Sequence, residues 1–186
     1  MARISLDPPS SLLYRAGRWY SQHKYGAQME PLAALAHNRP VLRTNSRAEM
    51  SLAKWKAVPS DLKHLAVMSA AVTVGCSWCV DFGYWIMSED GVDPVKIRDV
   101  PRWRESSAYT DLERRVIEYA EAASLTPPAV TDEMVAGLRK DLDEGQLVEL
   151  TMMIGVENQR SRFNLALGLA AQGFKDRCEI PETTAR

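Results

Sequence analysis

Residues 60–83 read SDLKHLAVMSAAVTVGCSWCVDFG and contain the strongest structural signal in this chain of 186 residues. Apolar side chains recur at helical spacing both before and after Gly75, and a glycine at that point interrupts the pattern. The sequence therefore predicts two consecutive helices, the second of which begins at Cys76 and Cys79.

Helical patterns also account for the rest of the chain. Proline and glycine residues separate these patterns, and Thr110 with Glu113 has the spacing of a capping box. No alternating apolar run bounded by hairpin turns is present, so strands are not expected. We predict an all-α fold, with a loop-rich connection around Pro94 and Pro101 and a long helix over about residues 146–172.

Composition and charge exclude several classes of protein. The net charge is −1 and the isoelectric point about 6.3, so a broad basic surface for nucleic acid is not expected. The sequence has no run of about 18 apolar residues, and its N-terminus lacks the apolar core of a signal peptide. The three cysteines are too few, and odd in number, for a secreted disulfide framework. We therefore expect a cytoplasmic protein that binds neither nucleic acid nor a membrane.

The spacing of Cys76 and Cys79 predicts two thiols that can react with each other. Residues three apart lie on one face of a helix, so the two sulfur atoms can form a disulfide after modest adjustment. Free N–H groups and the dipole at a helix start stabilise a thiolate, which is the reactive form of cysteine. A peroxide would oxidise one thiol to a sulfenic acid, the neighbouring thiol would condense with it, and a reductant would reopen the disulfide.

Two other interpretations of the cysteine pair remain open. The pair could supply half of a zinc site, although the other candidate ligands are scattered and lack ligand spacing. Those candidates are Cys178, His23, His37 and His64. The two cysteines could also be buried helical residues that pack as small hydrophobic side chains. The thiol interpretation requires neither a cofactor nor a metal ion.

These residues carry a resemblance to a known family. Residues 62–68, LKHLAVM, and residues 75–81, GCSWCVD, resemble the carboxymuconolactone decarboxylase family, and specifically its AhpD-like alkylhydroperoxidase branch. The similarity extends over roughly residues 40–174. It implies an AhpD-like helical domain there, preceded by an N-terminal helical extension over residues 1–39 and followed by a polar C-terminal tail over residues 175–186.

The resemblance also implies an assembly and a chemistry. Members of this branch are homo-oligomers, often trimers or hexamers, and their paired thiols reduce peroxides. In that branch the second cysteine, here Cys79, is peroxidatic, and the first, here Cys76, is resolving. The partners implied are a hydroperoxide substrate and a dithiol reductant, which is either a small molecule or a protein.

The chain departs from the pattern of the peroxidase branch at three positions. His64 stands where that branch has a Glu, Gly83 where it has a His, and Trp78 where well-studied members have a His. The proton relay of the branch is therefore absent in its usual form. His64 is the candidate substitute, because a free imidazole has a pKa of about 6.5 and can carry protons.

A weak internal similarity indicates two helical repeats. A shift of 85 positions brings residues 62–83 onto residues 147–168, where Ser161 and Asn164 take the places of the two cysteines. Any two amphipathic helices can align this well, so chance similarity remains open. On either interpretation, only the first segment carries the thiols.

The sequence supports three hypotheses about function. The first is a thiol-dependent, alkylhydroperoxidase-like peroxidase with Cys79, Cys76 and His64 as its site residues. The second is a lyase that resembles carboxymuconolactone decarboxylase, whose chemistry does not rely on paired thiols. The third is a non-catalytic helical oligomer that senses redox state or binds a ligand.

Overall fold

The computed structural model describes residues 2–178, which are helical and contain no β-strand. The α-helices of this part of the chain are α1 (Leu12–Tyr25), α2 (Glu30–Ala36), α3 (Arg39–Leu52), α4 (Ser60–Val74), α5 (Ser77–Glu89), α6 (Pro94–Asp99), α7 (Asp111–Ser124), α8 (Asp132–Leu138) and α9 (Glu144–Ala166). Short 3₁₀ turns lie at Val100–Arg102 and Lys175–Arg177. The predicted all-α class is confirmed.

The chain up to Trp55, together with Ala166–Leu169, forms the first of two compact units. It contains α1, α2 and α3, and its small core consists of Tyr14, Ala33, Ala36 and Leu42. Ser11 Oγ accepts a hydrogen bond from the backbone N–H of Tyr14 at 3.2 Å and so caps α1. A polar side chain therefore sets the start of the first helix.

Among the described residues, the second unit comprises residues 56–165 and 170–178, and α4 is its central helix. The apolar side chains buried along α4 are Leu62, Leu65, Ala66, Met68, Ala70 and Ala71. Ala66 and Ala70 belong to a core cluster with buried residues of α7, α8 and α9. Leu65 and Met68 belong to a second cluster with buried residues of α5, α6 and α7. Through these two clusters the core around α4 positions both α5 and α9.

The predicted capping box at the start of α7 is confirmed. Thr110 Oγ1 accepts a hydrogen bond from the backbone N–H of Glu113 at 3.3 Å, and the Glu113 carboxylate accepts one from the backbone N–H of Thr110 at 2.8 Å. Lys96 Nζ pairs with the same carboxylate at 2.6 Å. Burial alone would raise the pKa of Glu113, but the hydrogen bonds from Lys96 and Thr110 hold that pKa below its ordinary value.

Two predicted features differ from the structure. Helix α9 ends at Ala166 rather than near residue 172, because Gly168 adopts a left-handed backbone (φ 67°) through which an α-helix cannot continue. The connection containing Pro94 and Pro101 is helical over α6 and the 3₁₀ turn at Val100–Arg102, since a proline in the first turn of a helix sacrifices no hydrogen bond, and it is irregular over residues 103–110. The backbone geometry of one glycine and of the prolines therefore determines where these two helical segments end and begin.

The predicted polar tail over residues 175–186 is described only as far as Cys178, and residues 179–186 lie outside the described part. Within residues 2–178, no helix combines the length and the apolar composition that crossing a bilayer requires. The domain boundaries predicted after residues 39 and 174 stay a prediction.

Candidate functional site

Gly75 places the first cysteine at the start of α5. Its left-handed backbone, with φ 80°, ends α4 and turns the chain directly into the next helix. Cys76 is consequently the N-cap residue of α5, and its Sγ accepts a hydrogen bond from the backbone N–H of Cys79 at 3.2 Å. The predicted start of a helix at the cysteine pair is confirmed.

Cys76 and Cys79 are joined by a disulfide, and their Cα atoms lie 5.3 Å apart. Cys76 is fully buried, whereas Cys79 keeps 8% of its surface exposed. Both cysteines are therefore largely shielded from solvent, and Cys79 is the less buried of the two.

Two buried polar side chains of α9 lie against these sulfur atoms. Ser161 Oγ is 3.4 Å from Cys79 Sγ, and Asn164 Nδ2 is 3.3 Å from Cys79 Sγ and 3.8 Å from Cys76 Sγ. Asn164 Oδ1 is buried and has no hydrogen-bond partner among the described residues. Packing of two cysteines as small hydrophobic side chains does not account for this concentration of polar groups around the sulfur atoms.

A buried carboxylate continues the polar face of α9. Glu157 Oε1 accepts a hydrogen bond from Ser161 Oγ at 3.0 Å, and Arg160 Nη1 lies 3.3 Å from Glu157 Oε2. Glu157 is only 4% exposed, so these two side chains replace water around its carboxylate. Glu157, Ser161 and Asn164 are four and three residues apart and therefore share one face of the helix.

The segment of residues 170–178, here called the C-terminal strap, is tied to α5 by a second buried carboxylate. Asp81 accepts three backbone hydrogen bonds from the strap, at 2.7, 3.1 and 2.8 Å, and their donors are Gln172, Phe174 and Lys175. Gln172 Oε1 also accepts a hydrogen bond from the indole N–H of Trp78 at 2.7 Å. Because Trp78 stands between the two cysteines in the chain, the strap helps to fix the first turn of α5.

The structure pairs His64 with Asp90, whose Oδ2 lies 2.7 Å from His64 Nε2. Within the described part of the chain, the side chains that hydrogen-bond to the two sulfur atoms come from α9, and His64 is not among them. A proton-carrying role for His64 stays a prediction.

Gly83 leaves room for a core methionine. A Cβ atom at this position would lie 2.9 Å from Cε and 3.4 Å from Sδ of Met68, which is buried in the core cluster that α4 shares with α5. Even a methyl group would have to displace Met68, and an imidazole ring needs far more space. A side chain at position 83 would therefore require the end of the Met68 side chain to move.

Cys178 is separate from the disulfide. Its Sγ lies 3.8 Å from the carbonyl oxygen of Phe174, and burial raises the pKa of this thiol. Cys178 is therefore a weaker nucleophile at neutral pH than an exposed cysteine. Among residues 2–178, no three His, Cys, Asp or Glu side chains come together in the way that a metal ion requires.

The sequence interpretation missed Ser161 and Asn164 as neighbours of the sulfur atoms. The shift of 85 positions aligned these two residues with the cysteines and so contained the signal. Alignment of two segments does not show that they pack against each other, and here the two segments do meet. Glu157 follows from the same helix face, since it lies one turn before Ser161.

Sequence comparison relates these features to known proteins. A sequence model of the carboxymuconolactone decarboxylase family matches residues 40–122, which include the cysteine pair. The uncharacterized protein YnjA of Escherichia coli (strain K12) is 34% identical over 180 residues, which are 94% of this chain and 97% of that protein.

Two solved structures share the fold over nearly the whole chain. One is the alkylhydroperoxidase AhpD core of an uncharacterized peroxidase-related protein from Ralstonia eutropha JMP134, with a TM-score of 0.84, 15% identity, and coverage of 97% of this chain and 98% of that chain. The other is a cysteine-to-alanine variant of the debrominase Bmp8 in complex with 2,3,4-tribromopyrrole, with a TM-score of 0.81, 18% identity, and coverage of 95% and 96%. At these identities the likeness establishes the fold alone.

Proposed function

This chain belongs to the carboxymuconolactone decarboxylase family, and on that premise we propose that it is a thiol-dependent peroxidase of the alkylhydroperoxidase type. The observation that carries the proposal is the disulfide between Cys76 and Cys79 at the N-terminus of α5, with hydrogen-bonding side chains of α9 against both sulfur atoms. A cysteine pair in this setting can cycle between dithiol and disulfide.

In the oxidative half-reaction, the thiolate of Cys79 attacks the hydroperoxide. Cys79 is assigned this step because the second cysteine is peroxidatic in the branch that the chain resembles, and because Cys79 is the less buried residue of the pair. The O–O bond breaks, Cys79 becomes a sulfenic acid, and the alkoxide that leaves takes up a proton to become an alcohol. The Cys76 thiol then attacks the Cys79 sulfur, so that the disulfide forms and water leaves. Two thiols and one hydroperoxide thus become one disulfide, one alcohol and one water molecule.

In the reductive half-reaction, a dithiol, either a small molecule or a protein, attacks the sulfur of Cys79. Cys76 then leaves as a thiolate, and the backbone N–H of Cys79, 3.2 Å from Cys76 Sγ, stabilises that leaving group. The second thiol of the reductant attacks the mixed disulfide, which frees Cys79 and closes the reductant's own disulfide. The protein returns to the dithiol state and the reductant carries away two electrons.

The test follows the consumption of cumene hydroperoxide with dithiothreitol as the dithiol donor. Wild type is compared with Cys76→Ser, Cys79→Ser and the matched control Cys178→Ser, which removes a thiol but keeps the pair. We expect both changes in the pair to abolish turnover and the control to match wild type. Equal rates for all four proteins would sink the proposal.

Two further measurements separate the alternatives. If the doubly substituted protein Cys76→Ser/Cys79→Ser still turns over a carboxylated lactone, the protein is a lyase resembling carboxymuconolactone decarboxylase. If the disulfide opens and closes reversibly but neither substrate is consumed, the chain is a non-catalytic redox-sensing or binding protein. We also propose that the protein is a homo-oligomer, either a trimer or a hexamer. Light scattering coupled to size-exclusion chromatography would measure the mass of the assembly.

A further inference from the structure

We infer that Glu157 and Ser161 form a proton relay for Cys79, in which Ser161 passes the thiol proton to the Glu157 carboxylate and later returns it to the leaving alkoxide. The inference rests on the proposed function and deepens it, because it assigns the acid–base half of the same site to α9. Apart from Cys79 itself, no residue of the cysteine helix is required for this proton transfer.

The hydroxyl of Ser161 lies between the carboxylate of Glu157 and the sulfur of Cys79. This hydroxyl has one proton to donate, yet it lies within hydrogen-bond distance of two acceptors, Glu157 Oε1 at 3.0 Å and Cys79 Sγ at 3.4 Å. A carboxylate is the far better acceptor of the two. The hydroxyl proton therefore goes to Glu157, and the lone pairs of Ser161 are available to the thiol proton of reduced Cys79.

The carboxylate of Glu157 is buried and therefore shielded from bulk water. A carboxylate that is 4% exposed cannot exchange protons freely with bulk water, and its contacts include Ser161 and the guanidinium of Arg160 at 3.3 Å. Arg160 compensates the negative charge, which makes a buried carboxylate tolerable in the reduced enzyme. A proton that leaves Cys79 through Ser161 therefore reaches Glu157 and is held there.

Asn164 positions the sulfur atoms during these steps. Its Nδ2 lies 3.3 Å from Cys79 Sγ and 3.8 Å from Cys76 Sγ, so it can donate to the thiolate that forms on either cysteine. Its Oδ1 is buried and without a partner among the described residues, which is costly for a polar atom. The O–H group of a bound hydroperoxide, or of the sulfenic acid on Cys79, supplies the missing donor.

The proton balance of the cycle closes through this relay. The Cys79 thiol gives its proton to Ser161 as Ser161 gives its own to Glu157, which leaves a thiolate and a neutral carboxylic acid. After the O–O bond breaks, the same two transfers run backwards and convert the alkoxide into an alcohol. Glu157 ends as a carboxylate, and the proton needed to release water in the next step comes from the Cys76 thiol.

The relay also accounts for the departures of this chain from the peroxidase branch. His64 is paired with Asp90 at 2.7 Å, and the space beside Gly83 is occupied by Met68. In this structure, the side chains that hydrogen-bond to the two sulfur atoms within the described residues come from α9 and not from these two positions. The relay on α9 provides a proton carrier from a segment more than 70 residues later in the chain.

The test measures how fast Cys79 reacts as a function of pH when it is the only thiol. In a Cys76→Ser/Cys178→Ser background, reduced protein is treated with hydrogen peroxide or with iodoacetamide, and Glu157→Gln and Ser161→Ala are added singly. We expect each change to slow the peroxide reaction at pH 7 by roughly 10²-fold, within the range for general-base catalysis. The deficit should shrink as the pH rises above about 8.5, where an ordinary thiol ionises without help.

The sign of the effect at Glu157 separates a relay from simple electrostatics. A carboxylate that acted only through its charge would raise the thiol pKa, so its removal would speed both reactions at pH 7. Faster or unchanged reaction of Glu157→Gln would therefore overturn the inference. If Glu157→Gln does not fold, Ser161→Ala, which removes a single oxygen atom, decides the question by the same pH profile.

The matched control is Glu144→Gln, which neutralises an exposed carboxylate on the same helix that pairs with Arg139. It should leave both rates at the level of the parent protein. The two reagents also keep the inference distinct from the proposed function. Slow peroxide oxidation of all proteins, with alkylation by iodoacetamide still dependent on Glu157 and Ser161, would refute the peroxidase and retain the relay. Rapid peroxide oxidation whose rate does not change on substitution of Glu157 or Ser161 would refute the relay and retain the peroxidase.

Discussion

Asp81 Oδ2 accepts the backbone hydrogen bond of Gln172 at 2.7 Å, and this contact ties the C-terminal strap to the helix that carries the cysteines. The same carboxylate accepts the backbone N–H groups of Phe174 and Lys175. An ionised carboxylate is suited to three N–H donors because it has only acceptor positions.

Replacement of Asp81 should loosen the strap. Asp81→Asn presents an amide NH₂ group to backbone N–H donors, so at least one buried hydrogen bond is lost, at a cost of about 2 kcal/mol in the free energy of unfolding. Hydrogen exchange should accelerate at the amides of Gln172, Phe174 and Lys175, while those of α9 stay protected. Asp61→Asn, a change at an exposed position in the first turn of α4, is the control. Unchanged exchange in the strap of Asp81→Asn would contradict this role.

Gly83 and Met68 should show energetic coupling. Alanine normally stabilises a helix relative to glycine by about 0.5–1 kcal/mol. At position 83 we expect the opposite, a loss of about 1 kcal/mol, because the new Cβ would meet Met68 Cε at 2.9 Å. Urea denaturation of Gly83→Ala measures the loss in the free energy of unfolding. The same change combined with Met68→Ala shows whether that loss disappears when the methionine side chain is removed.

Gly155→Ala is the matched control for that experiment. Gly155 also lies inside a helix, but a Cβ there would have no neighbour within 4 Å. This change should therefore stabilise the protein by the ordinary helix preference. A stabilisation of the same size by Gly83→Ala, in the presence of Met68, would show that the new Cβ does not clash with Met68.

Cys76 should act as a helix cap in the reduced protein as well as a redox group. Its Sγ accepts the backbone N–H of Cys79 at 3.2 Å, and serine is among the best residues for this position. Under reducing conditions, Cys76→Ser should exceed Cys76→Ala in stability by about 1 kcal/mol. Thermal unfolding in the presence of a reductant compares them, and identical melting temperatures would argue against capping by residue 76.

Asp99 should make stability depend on pH in the acid range. Hydrogen bonds from Arg98 at 2.8 Å and Arg102 at 3.2 Å hold its carboxylate, and the bond from Arg98 contributes most to lowering its pKa from 3.8 to about 2. Because the pKa is lower in the folded state, the ion stabilises the fold above about pH 4, and this stabilisation is lost as the pH falls toward 2. The shift corresponds to about 2 kcal/mol.

Urea unfolding of wild type and Asp99→Asn at pH 6, 4 and 3 measures that contribution. The advantage of wild type should be largest at pH 6 and should decline at pH 3. Asp61→Asn again serves as the exposed control. A difference between the two proteins that stays constant from pH 6 to pH 3 would mean that Asp99 ionises as it does in the unfolded chain.

Local sequence was sufficient for the helices and for the position of the cysteine pair. Gly75 interrupts the helical pattern, Cys76 follows as a cap, and the Thr110–Glu113 box begins α7. These features depend on residues within one helical turn of one another, so their spacing in the sequence contains the information. The end of α9 was misjudged because apolar periodicity continued past Gly168, whose backbone conformation breaks the helix.

The surroundings of the sulfur atoms depended on tertiary structure. Ser161 and Asn164 lie 82 to 88 residues from the cysteines they contact, and Asp81 is joined to strap residues 91 to 94 positions away. The core around α4 determines which faces of α5 and α9 meet, and no local pattern specifies that packing. Cys76 and Cys79 could therefore be identified from sequence as a pair able to form a disulfide. The side chains that lie against their sulfur atoms became visible only once the helices were packed.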